Sequence, residues 1–333
     1  MLSPIKIGDH TLPNNAFLAP LSGITDKSFR TISARFGAGM VVSEMIASAA
    51  LTNGHKDMAR RLGRPEKLPH IVQLAGCEPH WLAEGAKIAE DAGADIIDIN
   101  MGCPSKRVTN GYAGSALMRV PDKAVEIIEA VVAATTRPVT LKMRLGWNDE
   151  NLNAPQLAKD AEACGVHMVT VHGRTRQQFY KGKARWAPIR EVVDAVKVPV
   201  VVNGDIVDLN AARDALAASG AQAVMIGRGA QGQPWLVGQV GDALAGRTPE
   251  AAPTGQARLA LILEHYAMMI DEYGEQLGVR CARKHLGWYL EVLEHEGAAI
   301  DGATRKRLLT ADKSADVPDI LATIFDQVEA TAA

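Results

Sequence analysis

The residues best suited to chemistry in this chain lie where apolar runs give way to polar ones. The run "ADIIDI" from Ala94 empties into "NMGCPSKRVTNGYAGSALM" (Asn100–Met118), which carries the thiol of Cys103, the glycines Gly102, Gly111 and Gly114, and the cations Lys106 and Arg107. A loop needs no thiol for its structure, and a disulfide needs a partner. Cys77, Cys103, Cys164 and Cys281 are far apart and form no CxxC, which points to reduced thiols, with Cys77 and Cys164 expected to be buried or half-buried. Lys142 stands inside the apolar run "TLKMR", where an ammonium is costly unless it meets an anion. Gln73, Lys142 and His172 together suit the edge of a polar heterocycle, or negative charge on it.

Other polar residues close similar runs: Ser22, Glu44, Asn100, Arg144, Asn203, Asp205 and Arg228. One such residue reads as a hydrogen-bonded plug in a core; a whole set reads as one shared site. "VVNGD" (Val201–Asp205) and "MIGRG" (Met225–Gly229) bring glycines whose exposed N–H groups can face a phosphate, and Arg228 adds a charged fork. "GRGAQG" from Gly227 has the spacing G-x-G-x-x-G, but it comes last among the repeating units and lacks an acid about twenty residues on, so a mononucleotide phosphate suits it better than a dinucleotide. No Walker A, HExxH or GxSxG pattern occurs, and no metal set is expected.

The elements that must position these groups are β-rich runs starting near Ala16, Gly39, His70, Ala94, Pro138, His167, Val198 and Ala221. Helical periodicity fills most of the gaps between them, as in "WLAEGAKIAEDAGA" and "PDKAVEIIEAVVAA". Near-continuous apolar strands alternating with helices imply a parallel sheet covered by helices. Eight such units match a closed (β/α)8 TIM barrel, whose chemistry sits at the C-terminal strand ends and whose last two loops commonly hold phosphate. An open doubly wound sheet is the alternative. "IKIGDHTLPN" reads as a hairpin capping the barrel bottom. After the linker "AGRTPEAAPTG" only helical patterns remain, which divides the chain into a barrel domain, residues 1–244, and a small C-terminal helical bundle, residues 245–333.

The 333 residues carry a net charge of -2, so bulk electrostatics do not mark a polyanion binder. Residues 245–333 hold 9 Lys+Arg against 14 Asp+Glu, net -5, which leaves net +3 for residues 1–244. Any polyanion site is therefore a local patch. "RTRQQFYKGKARWAPIR" (Arg174–Arg190) interleaves Arg174, Arg176 and four other cations with Phe179, Tyr180 and Trp186, which suits backbone contact and base stacking. "RCARKH", with Arg280, Arg283 and Lys284, is a second basic cluster; it reads equally as a phosphate clamp or an ordinary helix face. No apolar run approaches the length of a membrane span and no signal pattern opens the chain, so a cytoplasmic protein with no obligate protein partner is expected.

These motifs, taken together, resemble those of the tRNA-dihydrouridine synthase family, in particular its bacterial B-type branch. The resemblance rests on "APLSGITDKSFR", "VQLAG", "DINMGCPSKRVTNGYAGSALM", "LKMRLGW", "HGRTRQQFYKGKARW", "VVNGDI", "MIGRGAQGQPW" and "RCARKHLGWYL". Leu21 stands where methionine is common, an apolar exchange. The resemblance implies a barrel that binds FMN, a helical domain that binds tRNA, and reduction of the C5=C6 bond of selected uridines with NADPH or NADH as donor. It places Pro20, Ser22, Gly23, Gln73, Lys142, His172, Asn203, Gly204, Asp205, Gly227 and Arg228 at the cofactor. It makes Cys103 the general acid and puts Asn100 near the substrate base. Lys106, Arg107, Arg174, Arg176, Tyr180, Arg280, Arg283 and Lys284 are then candidates to meet tRNA. The chemistry agrees: hydride addition at C6 leaves enolate charge toward C5 and O4, and a protonated thiol can deliver the proton to C5. The competing readings are an FMN barrel oxidoreductase for a free small molecule such as a pyrimidine, and an RNA-binding protein without activity.

Overall fold

The computed structural model describes residues 2–65 and 67–332. Strands β1 (Lys6–Ile7) and β2 (His10–Thr11) form a small antiparallel hairpin. The main sheet holds β3 (Ala16–Leu18), β4 (Met40–Val41), β5 (Ile46–Ala47), β6 (Ile71–Ala75), β7 (Ile96–Met101), β8 (Val139–Arg144), β9 (Val166–His172), β10 (Val200–Asn203) and β11 (Ala223–Ile226). Its order is β4-β3-β11-β10-β9-β8-β7-β6-β5, with every pairing parallel. The ring closes where Val42 bridges Ile71 and Ser43 N–H donates to Ile71 O at 3.0 Å. β4 and β5 are thus two pieces of one barrel position, and the sheet is the closed eight-position barrel expected from the repeat. The second run departs from expectation only in its break, where the Ser43 hydroxyl accepts from Gln73 N–H and the Glu44 carboxylate from Gly23 N–H.

Helices α1 (Lys27–Arg35), α2 (Ser48–Thr52), α3 (Lys56–Arg60), α4 (Pro79–Asp91), α5 (Lys106–Thr109), α6 (Pro121–Ala134), α7 (Ala154–Ala163), α8 (Ile189–Ala195) and α9 (Leu209–Ser219) intervene between the strands. Their starts follow local rules. Asp26 caps α1 by accepting from Phe29 N–H, Asp208 caps α9 through Ala211 N–H, and proline stands in the first two positions of α4, α6 and α7.

Strand parity sorts the core. One buried cluster joins Phe17, Met40, Val42, Ile71, Ile96, Met168, Val201, Ala223 and Met225 from the strands to Ile5, Ile7 and Leu12 from the hairpin segment. The hairpin therefore seals one end of the barrel interior with apolar side chains, as its sequence suggested. Further along the same strands the interior turns polar.

The chain divides into two compact units: residues 1–229 with 237–249, and residues 230–236 with 250–333. Helix α10 (Leu236–Leu244) lies mostly in the first. The second contains α11 (Gly255–Tyr273), α12 (Glu275–His295), α13 (Gly302–Thr310) and α14 (Asp316–Ala332). Ile262, Met269, Tyr289, Leu290, Leu308, Leu321 and Phe325 are buried in this helical unit. Buried Arg258 is held there by both oxygens of Glu296, at 2.5 and 3.1 Å, and by Pro253 O at 2.6 Å.

Candidate active site

Register brings the polar residues to one end of the barrel interior. Gln73 pairs with Asp98 and Asp98 with Thr140; Asn100 pairs with Lys142 and Lys142 with Thr170; Arg144 pairs with His172 and His172 with Asn203. Residues paired this way across parallel strands share a face. On β7, Ile96, Asp98 and Asn100 therefore face the interior while Ile97, Ile99 and Met101 face the helices. That is why the strand reads as an apolar run while delivering two polar groups inward.

A directed chain of hydrogen bonds fixes the segment that carries the thiol. Asp98 is buried and its carboxylate accepts from Thr140 Oγ1 at 2.6 Å and from Gln73 Nε2 at 2.6 Å. Because an ionised carboxylate only accepts, the Gln73 amide must turn its NH2 toward Asp98. Its Oε1 is then left to accept from Asn100 Nδ2 at 2.7 Å. That in turn presents Asn100 Oδ1 to the N–H groups of Gly102, at 3.2 Å, and Cys103, at 3.0 Å. On the far side of Cys103, Ser115 Oγ donates to Cys103 O at 2.8 Å. The thiol thus sits on a turn held from both sides. Burial raises the pKa of Cys103, against opposing contributions from the Ser105 backbone, Arg144 and Lys142, so the thiol stays protonated at neutral pH.

Lys142 Nζ donates to Asn203 Oδ1 at 3.1 Å, while Asn203 Nδ2 donates to Met225 O at 2.7 Å. Burial, then the charge of Arg144, lowers the Lys142 pKa to about 8. Arg144 bonds the carbonyls of Gly102 at 2.8 Å, Thr175 at 2.8 Å and Phe179 at 2.9 Å, tying the thiol turn to the loop after β9. Its own pKa is lowered to about 10 by burial. His172 is held neutral by burial and by Arg144, Lys142, Arg174 and Arg228, and its buried Nδ1 has no partner among the described residues. Asp98 is displaced the other way, up to about 6, because burial outweighs its two hydrogen bonds and Lys142.

Next to His172 the backbone comes close. Gly204 has φ +116, and a Cβ there would stand 2.8 Å from Ala184 Cβ and 3.3 Å from the His172 ring, so only glycine fits. Gly227 is open: a Cβ would meet only side-chain atoms of Ala19 and Leu21, at 3.7 to 3.8 Å. Arg228 is half exposed and forms an ion pair with Asp205 at 3.2 Å. Beside β11, Pro20, Ser22 and Gly23 form the turn after β3, where Gly23 N–H donates to Glu44 Oε1. These residues fit a planar heterocycle with a phosphate. The partnerless His172 Nδ1 and the singly engaged Lys142 Nζ would meet its ring, and the open Gly227 with Arg228 its phosphate.

Three of the sequence candidates are engaged in contacts within the protein. The Asp205 carboxylate pairs with Arg174 at 2.6 Å, accepts from Ala184 N–H at 2.7 Å and meets Arg228. Arg174 is 1% exposed and also donates to Lys181 O and Gly182 O, so it holds the loop after β9 instead of reaching a phosphate. Arg283, in the helical unit, donates to Ala311 O at 3.0 Å and pairs with Asp312 at 2.7 Å, which commits it to the end of α13. Lys106, Arg107 and Arg280 are exposed, and Lys284 lies one turn from Arg280 on α12. Tyr180 is 46% exposed, with the guanidinium carbons of Arg228 and Arg144 5.4 and 5.8 Å from its ring centre. Sequence reasoning passed over Asp98 and Thr140; period-two parity with Asn100 and Lys142 was the available signal.

All four cysteines are half-buried and none forms a disulfide. Among the described residues no helix is long and apolar enough to cross a membrane, and no group of three candidate ligands could hold a metal ion.

The family described as "Dihydrouridine synthase (Dus)" matches residues 17–314. A probable tRNA-dihydrouridine synthase of Rhizobium leguminosarum bv. phaseoli is 50% identical over 319 residues, covering 96% of each chain. Another from Rhodobacter capsulatus is 53% identical over 290 residues, covering 86% of this chain and 89% of the relative. The tRNA-dihydrouridine synthase B of Pseudomonas aeruginosa is 46% identical over 294 residues, covering 88% of each. Among solved structures, TcOYE with pHBA superposes with TM-score 0.53 at 16% identity, over 77% of this chain and 95% of that one. A morphinone reductase variant superposes with TM-score 0.51 at 16% identity, over 77% and 93%. At that identity the likeness establishes the barrel fold alone.

Proposed function

This chain belongs to the dihydrouridine synthase family, and from that premise we propose that it reduces the C5=C6 bond of uridines in tRNA to 5,6-dihydrouridine, with FMN at the barrel mouth and NADPH or NADH as electron donor. The chain is an oxidoreductase; what the site adds is how its own residues would do the work. The observation that carries the reading is the relay from Thr140 through Asp98, Gln73 and Asn100 to Cys103, which spends four buried side chains on placing one thiol.

The hydride to C6 of uracil is the chemistry that a flavin bound here would supply. Pro20, Ser22, Gly23, Gln73, Lys142, His172 and Asn203 would border its ring system, and Gly204, Gly227 and Arg228 its phosphate. Cys103, kept as a thiol by its raised pKa, donates the proton to C5 and regains one from solvent. Lys142, largely cationic at neutral pH, stabilises negative charge beside it. Asn100 orients the uracil edge, and the exposed Tyr180 offers a ring on which a base pulled from its stack can rest.

In this reading residues 1–244 form the catalytic domain and residues 245–333 bind tRNA, with Arg280 and Lys284 among the cations that would meet it. The test is to incubate the purified, FMN-loaded protein with unmodified tRNA and NADPH, then measure dihydrouridine by nucleoside mass spectrometry. Uridine gaining two hydrogens in tRNA supports the reading. Reduction of free pyrimidines with no product in tRNA refutes it.

A further inference from the structure

Beside the thiol turn, on the same end of the barrel, lies a cavity of about 370 Å³ lined by Thr109, Asn110, Tyr112, Arg119, Trp147 and Arg176. Three loops build it: the one after β7, which carries Cys103, and those after β8 and β9. They are fastened together by Arg176 N–H to Gly146 O at 3.0 Å, Gln177 N–H to Trp147 O at 2.9 Å and Arg176 Nη2 to Thr109 Oγ1 at 3.2 Å. The size falls within the range of about 300–1,000 Å³ common to small-ligand sites.

The charges in it are unbalanced. The guanidinium carbons of Arg119 and Arg176 stand 4.8 and 5.0 Å from the centre of the Trp147 ring. Among the described residues neither arginine forms an ion pair, and the buried Nε of Arg176 has no hydrogen-bond partner. Two like charges gathered on one ring repel each other, and a cavity lining with no carboxylate does nothing to relieve them. Tyr112 adds a ring that is 71% exposed, on a backbone held at φ 59, an uncommon setting for a bulky residue. Paired guanidinium groups call for an oxyanion, and the two aromatic faces call for a planar ring.

We propose that this cavity takes the RNA nucleotide flanking the uridine that is reduced, with its phosphodiester at Arg119 and Arg176 and its base against Trp147 or Tyr112. This rests on the tRNA reading above. The cavity also lies within reach of the chemistry by covalent and hydrogen-bonded connection. Arg119 ends the 3-10 turn Gly114–Arg119, and Ser115 of that turn donates both its N–H, at 3.1 Å, and its hydroxyl, at 2.8 Å, to Cys103 O. Filling the cavity therefore bears directly on the segment that holds the thiol.

The nicotinamide donor also carries phosphate and planar rings, so the experiment separates the two sources. Arg119→Gln/Arg176→Gln and Trp147→Leu are compared with wild type for tRNA affinity across a salt series, for NADPH-driven flavin reduction, and for melting temperature as a folding control. The double variant should bind tRNA roughly tenfold or more weakly, with a salt slope smaller by about one contact. Trp147→Leu should lose roughly tenfold, the scale of one base stack, and should be indifferent to an abasic nucleotide beside the target that weakens wild-type binding. Folded variants with wild-type tRNA affinity overturn the proposal. So does a raised KM for NADPH with tRNA binding unchanged. If wild type itself makes dihydrouridine while these variants are indifferent, only the flanking-nucleotide site fails; a wild type that neither binds nor modifies tRNA overturns both readings.

Discussion

Replacing Asp98 by leucine and by asparagine separates its role as a hydrogen-bond acceptor from its charge. The pKa of Asp98 is raised from 3.8 to about 6, a shift of about two units that corresponds to roughly 3 kcal/mol against the folded state once the carboxyl ionises. The sign follows from linkage: below pH near 4 the group is protonated folded and unfolded, between about 4 and 6 only the unfolded chain loses the proton, and above 6 the full penalty applies. The substitution Asp98→Asn removes that penalty and keeps an oxygen for Gln73 Nε2, while the Thr140 hydroxyl can turn to accept from the new amide. Asp98→Asn should therefore be at least as stable as wild type at neutral pH and lack its decline between about pH 4 and 6. Asp98→Leu leaves Gln73 Nε2 and the Thr140 hydroxyl unpartnered, each at a cost of about 1–3 kcal/mol. More telling is turnover. With no carboxylate to hold its NH2, Gln73 can turn over, Asn100 no longer presents Oδ1 to Cys103 N–H, and the acid loses its fixed place. General acid catalysis is worth about 10²–10⁴-fold, so at least a tenfold loss is expected for Asp98→Leu in a single turnover of pre-reduced, flavin-saturated enzyme on tRNA, with Asp98→Asn within a few-fold of wild type. Wild-type turnover by Asp98→Leu refutes the relay. Equal loss in both variants assigns the role to the charge beside Lys142.

Cys103→Ala should retain flavin, shown by its visible absorbance, and lose roughly 10²-fold or more in dihydrouridine formation; undiminished turnover removes Cys103 from the role of acid. Lys142 is cationic below its pKa of about 8, so flavin reduction should slow as pH rises through and above that value. Lys142→Met should abolish that alkaline limb, and a limb that persists assigns it to another group. Asp205→Ala leaves the buried Arg174 without its carboxylate and should destabilise the catalytic unit by about 3 kcal/mol or more in urea unfolding; a change below about 1 kcal/mol would make that pair dispensable.

The barrel was legible because its period is written in the chain: apolar runs at regular spacing, separated by helical ones. Cys103, Lys142 and His172 stood out because each is an expensive residue at the end of, or inside, such a run. Asp98 was masked by Ile97 and Ile99, which face the helices, and only the interior parity of Asn100 two residues on would have revealed it. The cations were harder to sort. Arg174, Arg176 and Arg190 read alike in "RTRQQFYKGKARWAPIR", yet Arg174 is buried against Asp205 while Arg176 lies on Trp147. What decides between them is a carboxylate 31 residues away in sequence, and no local pattern carries that information.

The same electrostatics explain why the interior is built as two halves. Apolar residues from the strands and the hairpin fill one end, where burial stabilises the fold at no polar cost. The other end gathers Lys142, Arg144, Arg174 and Arg228 around neutral His172, against Asp205 and an Asp98 already pushed toward its protonated form. Burial is the leading cause of the lowered pKa values of Lys142, Arg144 and His172, and neighbouring cations lower each of them further, since the rim sets more positive charge than its own acids offset. Such an excess costs folding energy and is sustained by the apolar half of the barrel. It is matched by the ligands of the proposed reaction, since a flavin phosphate, negative charge on a reduced ring and an RNA backbone are all anionic. Each would offset part of that positive charge on binding, so the charge that burdens the free fold becomes binding energy for substrate and cofactor.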